Sequence, residues 1–570
     1  MTTSVRIDIG DVRPSLQISF EQARPGTPIP HRLVTSSVRL ETKLKVGDDR
    51  NHHRAARWIP AAFAGRRKTA QEVFEIAGVS SLDKDSKSRA VTNILITGGS
   101  QAWKLSAGFV LTIFSTRNLA PSDFGLLAMS ATAATFLGLI KDVGVGQAII
   151  QRTEIAKGQI DALFWLSVLA SAASALILTL SAHPVALFYG DARLQQLMIA
   201  IAGLSFIAGL QTVPTALLAR ESQFKALAIL DVAATTASVG AGIAAVIVLR
   251  DYWALYLSTL VLTVISTVGI WAYSGYRPGY PDLDSETRHM ARFGLHVSGF
   301  NLVNYLSRNA DNILIGKFRG GEELGLYDRA YKLLLLPIVQ LHNPIGQVIV
   351  PLLSRLRFDK ERYLSTYSDA LSMIMFICQP GIVFAILLSE PLFRVLLGEQ
   401  WVGAATIFSW LGVAGLIQVA TATAAWLFLS QGRGHEYFRL GVWTALINVT
   451  SFLVGLPWGA LGIAAAYTLV NCTVVLPLYA ISIGRHGPVT TRSLVQTTVP
   501  HWISCGVAAA VTRISMISLL DGNCFAGLVT LLALAYASYL LAMIFFARKR
   551  ELAKRVVRNV VRKAKTFSEA

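Results

Sequence analysis

The chain is 570 residues long, 53% hydrophobic and only 15% charged, with a mean hydropathy of +0.50, where a soluble domain carries about 25% charged residues. Such a chain is an integral membrane protein, and no stretch after residue 95 is polar enough to form a separate soluble domain. The net charge of +18 does not point to nucleic acid, because the excess lies in the two tails and in short loops.

Residues 1–90 are polar, rich in Arg, Pro and Ser and free of sustained periodicity, and are expected to form a disordered cytoplasmic tail. Frequent acidic residues and the lack of an apolar core near the start argue against a signal or transit peptide. A start codon set too early would also produce such a tail. Further on, a hydrocarbon core about 30 Å thick asks for roughly 20 apolar residues per helix, and about fourteen such runs follow. They fall near 95–117, 124–141, 160–181, 195–218, 227–249, 253–273, 294–316, 330–353, 369–390, 404–429, 438–455, 460–483, 500–520 and 524–547. Cys378, Cys472, Cys505 and Cys524 lie in or beside these runs without metal or redox spacing, and read as packing residues.

Lys and Arg accumulate on cytoplasmic loops. With the first tail cytoplasmic, alternate loops carry Lys141, Arg152 and Lys157, then Arg220 and Lys225, then Arg277, Arg288 and Arg292, and the pattern continues to Arg485 and Arg492. The opposite loops hold fewer, often beside an acid. An even number of spans returns the polybasic end, residues 548–570, to the cytoplasm, where anionic lipid explains it better than nucleic acid.

"FGLLAMSATAATFLGLIKDVGVGQAII", from Phe124, has a counterpart in "LGLYDRAYKLLLLPIVQLHNPIGQVIV", from Leu324. Gly125 and Leu126 match Gly325 and Leu326, and Gly146 and Gln147 match Gly346 and Gln347, without a gap. Six spans separate the copies, so both have the same direction in the membrane. The expected fold is therefore all-α, with about fourteen transmembrane helices in two pseudo-symmetric six-helix lobes plus two C-terminal helices. The N-lobe would span 91–285, the C-lobe 286–485 and the added helices 486–547.

In the seventh span, Asn301, Asn304, Arg308 and Asp311 are spaced by three, four and three, which sets them along one helical face. The first span offers Gln101, Lys104, Gly108 and Thr112 on the corresponding stripe. Charges at mid-membrane persist only when partnered or wet. Either Arg308 and Asp311 neutralise each other while Lys104 snorkels, or both lobes line a watery cleft. The matched stripes favour the cleft, with Lys104, Arg308, Gln101, Asn301 and Asn304 as substrate-binding residues and Asp311 as a coupling residue. A cleft lined by Lys and Arg suits phosphate. Arg513 has no counterpart and reads as structural or interfacial. There is no Walker loop, HExxH, GxSxG or clustered His, so neither an enzyme nor a cofactor or metal site is expected.

Two segments, "LAPSDFGLLAMSATAATFLGLIKDVGVGQAIIQR" and "SRNADNILIGKFRGGEELGLYDRAYKLLLLPIVQLHNPIGQVIVPLLSRL", make residues 90–485 resemble the polysaccharide transporter family. These are the oligosaccharide flippases of the multidrug/oligosaccharidyl-lipid/polysaccharide exporter superfamily. The resemblance implies two bundles with an alternating cleft that moves undecaprenyl-diphosphate-linked oligosaccharide across a bacterial inner membrane, both termini cytoplasmic. It further implies a lipid-linked substrate, the bilayer, and a polysaccharide polymerase and export machinery as partners. A cation-coupled multidrug exporter shares the fold but calls for acidic residues, and the first-lobe stripe has none. A non-transporting scaffold would need no paired polar stripes.

Overall fold

The computed structural model describes residues 84–141, 145–151, 155–281, 305, 308–519 and 524–545, and among them there are helices and turns but no strand. In chain order the helices are α1 (Lys84–Asn118), α2 (Pro121–Lys141), α3 (Val145–Gln151), α4 (Lys157–Tyr189), α5 (Arg193–Leu210), α6 (Thr212–Arg220), α7 (Phe224–Leu249) and α8 (Trp253–Ser274). There follow α9 (Ala310–Arg355), α10 (Lys360–Leu387), α11 (Ser389–Leu396), α12 (Val402–Thr421), α13 (Ala424–Ser430), α14 (Gly434–Gly455), α15 (Gly459–Val470), α16 (Leu476–Arg485), α17 (Thr491–Leu519) and α18 (Cys524–Phe545).

Each expected span lies on helix, except residues 294–309, most of which fall outside the described residues. Nine helical stretches among the described residues are by themselves long and apolar enough to cross a membrane, and two of these merge neighbouring expected spans. One is the 46-residue α9, which is not straight: Gly320 breaks it with φ 84° and ψ −176°, a conformation closed to side-chain-bearing residues. Helix α1 begins at Lys84, within the expected tail, because a helix satisfies its own backbone and continues past its apolar part. The rest of that tail and the basic C-terminal segment lie outside the described residues.

Local chemistry sets the ends of these helices. Pro121 opens α2, where its missing N–H costs nothing. Asp359 caps α10 by accepting from the Arg362 amide at 3.1 Å. Prolines lie inside α4, α9, α10 and α17, where each removes one backbone donor from the helix ladder. Among the first eight helices, α7 packs on α1 and α8, and α4 on α5, with α2 against both α4 and α5. Among the later ones, α12 packs on α9, α10 and α15, while the α17–α18 hairpin leans on α10. The hairpin is held by polar contacts as well: Tyr539 Oη lies 2.5 Å from His501 Nδ1, and Tyr536 Oη donates to the Ile377 carbonyl at 2.7 Å. Cys378 and Cys505 are buried in this region, as packing residues should be.

Past α8 the chain is fastened to the start of α4. Tyr276 donates to Asp161 at 2.6 Å, Trp165 donates to the Gly279 carbonyl at 3.0 Å, and Phe164 meets Trp271 and Tyr276 edge-on. The connection towards the second half of the protein therefore starts from a fixed point.

Candidate functional site

The two repeat copies found in the sequence meet in space. A Cβ placed on Gly125 would lie 1.8 Å from the Gly321 carbonyl oxygen, and one on Gly325 would lie 1.9 Å from the Pro121 oxygen and 3.1 Å from the Gly125 nitrogen. Only glycine lets α2 and α9 cross this closely, an arrangement common between membrane helices. Around the crossing, Phe124 packs edge-on against Trp401 with ring centres 5.1 Å apart, and the Arg329 guanidinium lies 4.5 Å over the Phe124 ring. Trp401 Nε1 donates to the Thr116 carbonyl at 2.7 Å and Gln400 donates to the Leu119 carbonyl at 2.9 Å. Arg117 donates to the Val395 carbonyl, and Lys317 donates to the Phe188 carbonyl while lying over its ring.

These contacts join the α1–α2 turn to the α11–α12 turn and, with the end of α4, to α9 beside its Gly320 break. At the same end, Arg193 hydrogen-bonds Asp191 and holds its carboxyl below the usual carboxylate range.

Arg308 is exposed, and among the described residues it has no ion pair. Tyr331 is held by stacking on Tyr327, ring centres 6.1 Å apart, and Tyr467 by stacking on Phe452 at 5.7 Å. An exposed guanidinium without an ionic partner among the described residues is suited to an anion.

Asp311 behaves differently from the expectation. It is buried, not lined up with Arg308, and accepts from Tyr327 Oη at 2.8 Å and from the Asn312 amide at 2.8 Å. The mutual neutralisation of Arg308 and Asp311 is thus not formed. Asn309, between them, leaves helical backbone (φ −114°, ψ 12°) at the start of α9, so Arg308 and Asp311 do not share one continuous helical face.

On α1, Gln101 is exposed and Lys104 is partly so. Lys104 Nζ lies 2.5 Å from Asp231 Oδ2 of α7. The first-lobe stripe is therefore not purely cationic, contrary to the reading of α1 alone, because an acid from a neighbouring helix completes it. Asp231 is the single acid of its apolar run, and the spacing along α1 gives no sign of it. Thr112 turns back to the Gly108 carbonyl at 2.8 Å. No hydrogen bond or ion pair among the described residues joins Gln101 or Lys104 to Arg308. Asn301 and Asn304 lie outside the described residues. Arg513 is exposed on α17 with its guanidinium 3.7 Å from Met516 Sδ.

Nine helical stretches among the described residues able to cross a membrane make this a multi-pass membrane protein. The fold is shared with a solved structure described as the lipid II flippase MurJ in an inward closed conformation. That match has a TM-score of 0.64 at 13% identity and covers 80% of this chain and 99% of that one. An inward-facing multidrug resistance MATE family transporter is similar with a TM-score of 0.51 at 14% identity, covering 77% and 98%. The family model described as "Polysaccharide biosynthesis protein" matches residues 115–406, and the chain belongs to that family, the polysaccharide exporters of the same superfamily. Among its relatives, the lipopolysaccharide biosynthesis protein WzxC of Escherichia coli is 23% identical over 73% of this chain and 83% of its own length. The succinoglycan biosynthesis transport protein ExoT of Rhizobium meliloti is 24% identical over 62% and 71%. The teichuronic acid biosynthesis protein TuaB of Bacillus subtilis is 25% identical over 59% and 70%.

Proposed function

We propose that this chain is a flippase that carries undecaprenyl-diphosphate-linked oligosaccharide units across the bacterial inner membrane for exopolysaccharide or lipopolysaccharide assembly. The observation that carries this reading is Arg308, an exposed cation in the stretch expected to form the seventh span, without an ionic partner among the described residues. A lone guanidinium there attracts a phosphorylated head group whose lipid tail remains in the bilayer. The family, whose relatives are named for lipopolysaccharide, succinoglycan and teichuronic acid, supports the same reading.

In this reading the two halves are six-helix lobes with α17 and α18 appended, fourteen spans in all. The Lys/Arg bias of the loops sets both termini in the cytoplasm. The end closed by Gly125, Gly325 and Trp401 is then periplasmic, and the cleft faces the cytoplasm, where lipid-linked sugars are assembled. Lys104, Gln101, Asn301 and Asn304 join Arg308 in holding the head group. Asp231 does not turn the cleft into a site for cationic drugs, since Lys104 already neutralises it.

The test is loss of the chain from cells that make the polymer. Surface polysaccharide should fall, and lipid-linked repeat units should accumulate where a sugar-modifying enzyme added to intact spheroplasts cannot reach them. Repeat units that remain fully accessible from outside would overturn the flippase.

A further inference from the structure

Lys104 and Asp231 form an ion pair at 2.5 Å whose side chains are 35% and 46% exposed. Counted back from Asn118 at the end of α1, Lys104 lies roughly 21 Å along the helix; counted from Phe224, Asp231 lies roughly 10 Å into α7. In a core about 30 Å thick, either count sets the pair inside the hydrocarbon, about 10 Å from the face opposite the closed end. On the flippase reading, charges at that depth with this much accessible surface face the watery cleft and not lipid, where they would be too costly to keep.

As a tie between helices the pair would be poorly placed, since accessible ion pairs contribute little to stability. Helices α1 and α7 are already joined by Trp103 Nε1 donating to Thr236 Oγ1 at 3.0 Å and by Leu111 packed at Gly242. The asymmetry between the two cleft cations also asks for a reason: Lys104 carries a carboxylate partner and Arg308, among the described residues, carries none.

We propose that Asp231 is a displaceable counter-ion of Lys104, exchanged for the diphosphate of the substrate on loading and restored on release. This rests on the flippase reading above. Lysine suits the exchange, being a point charge on a flexible stem that can leave a carboxylate for a phosphate without the fixed geometry an arginine fork demands. Asp231 acts on the complex in two ways. It competes for the ammonium, and once displaced it repels the bound diphosphate, so it weakens binding and hastens departure. A transporter that held its head group with unopposed cations would load well and release slowly.

The test uses the full chain in nanodiscs with undecaprenyl diphosphate as probe and uncharged undecaprenol as control. Asp231→Asn keeps the shape and an acceptor for Lys104 but removes the charge. It should tighten diphosphate binding on the order of tenfold, as expected for one like charge removed from a partly wet site. Binding of undecaprenol should stay unchanged, and surface polysaccharide in cells should fall at matched membrane levels. Asp231→Glu should restore both affinity and export. Affinity for undecaprenyl diphosphate that is unchanged or weaker in Asp231→Asn, with the wild-type chain binding it, overturns the exchange and leaves the flippase standing. No binding by the wild-type chain overturns the flippase reading and this proposal with it. A second neutral variant, Asp231→Thr, carries the same expectation. If neither neutral variant can be recovered folded, the pair is a structural tie and the exchange is wrong.

Discussion

At the scale of single residues, Arg308 and Asp311 show how a helical stripe can mislead. The carboxylate is held by Tyr327 and the Asn312 amide, while the guanidinium remains exposed. Removing the guanidinium therefore deletes a phosphate fork without stranding Asp311. Arg308→Ala should lower surface polysaccharide by roughly tenfold or more, in line with the about 1.5–3 kcal/mol of a hydrogen bond to a charged group. Arg308→Lys should retain part of the export, restoring charge but not the planar fork. The double variant Arg308→Ala with Asp311→Ala should stay defective at matched membrane levels. Its recovery would mean that Arg308 served only to balance the acid.

Between elements, the contact that decides the state of the molecule is the crossing of α2 and α9. Gly125 admits no side chain there, since an added Cβ would sit 1.8 Å from a backbone oxygen that cannot move away by itself. Gly125→Ala should therefore disfavour the closed end without harming either half. The measurement is labelling of Leu119→Cys, which is 1% exposed in this state, by a membrane-impermeant thiol reagent, in a chain whose native cysteines have been replaced. Labelling from outside should rise several-fold, as a contact worth about 1–2 kcal/mol is lost. Gly138→Ala, on the same helix with nothing within 4 Å of its added Cβ, should leave labelling alone. Equal labelling of all three chains would show that the crossing does not control the opening.

For the whole molecule, the direction of the spans decides which compartment the closed end faces. Reporter fusions after Ala570 and at Gly320 should lie on opposite sides of the membrane, with Ala570 cytoplasmic. If both report the same side, the number of crossings between Gly320 and the end is even and not the seven expected here, and the closed end can change compartment with it.

Membrane location, the positions of the apolar runs, the repeat two hundred residues apart and the presence of intramembrane charges were all legible in the amino-acid sequence. Each is a property of composition or spacing along the chain, and a bilayer makes such properties decisive, because it demands about 20 apolar residues per crossing and penalises every unpartnered charge. What opposes a given face is not encoded in spacing. Lys104 and Asp231 are 127 positions apart, and Trp401 and Thr116 are 285 apart. Even the repeated Gly-Leu motif, plain as a repeat, gave no sign that its two copies press on each other. Helical periodicity says which side chains share a side of a helix; only the packing of whole helices determines whether that side meets water, lipid or another backbone.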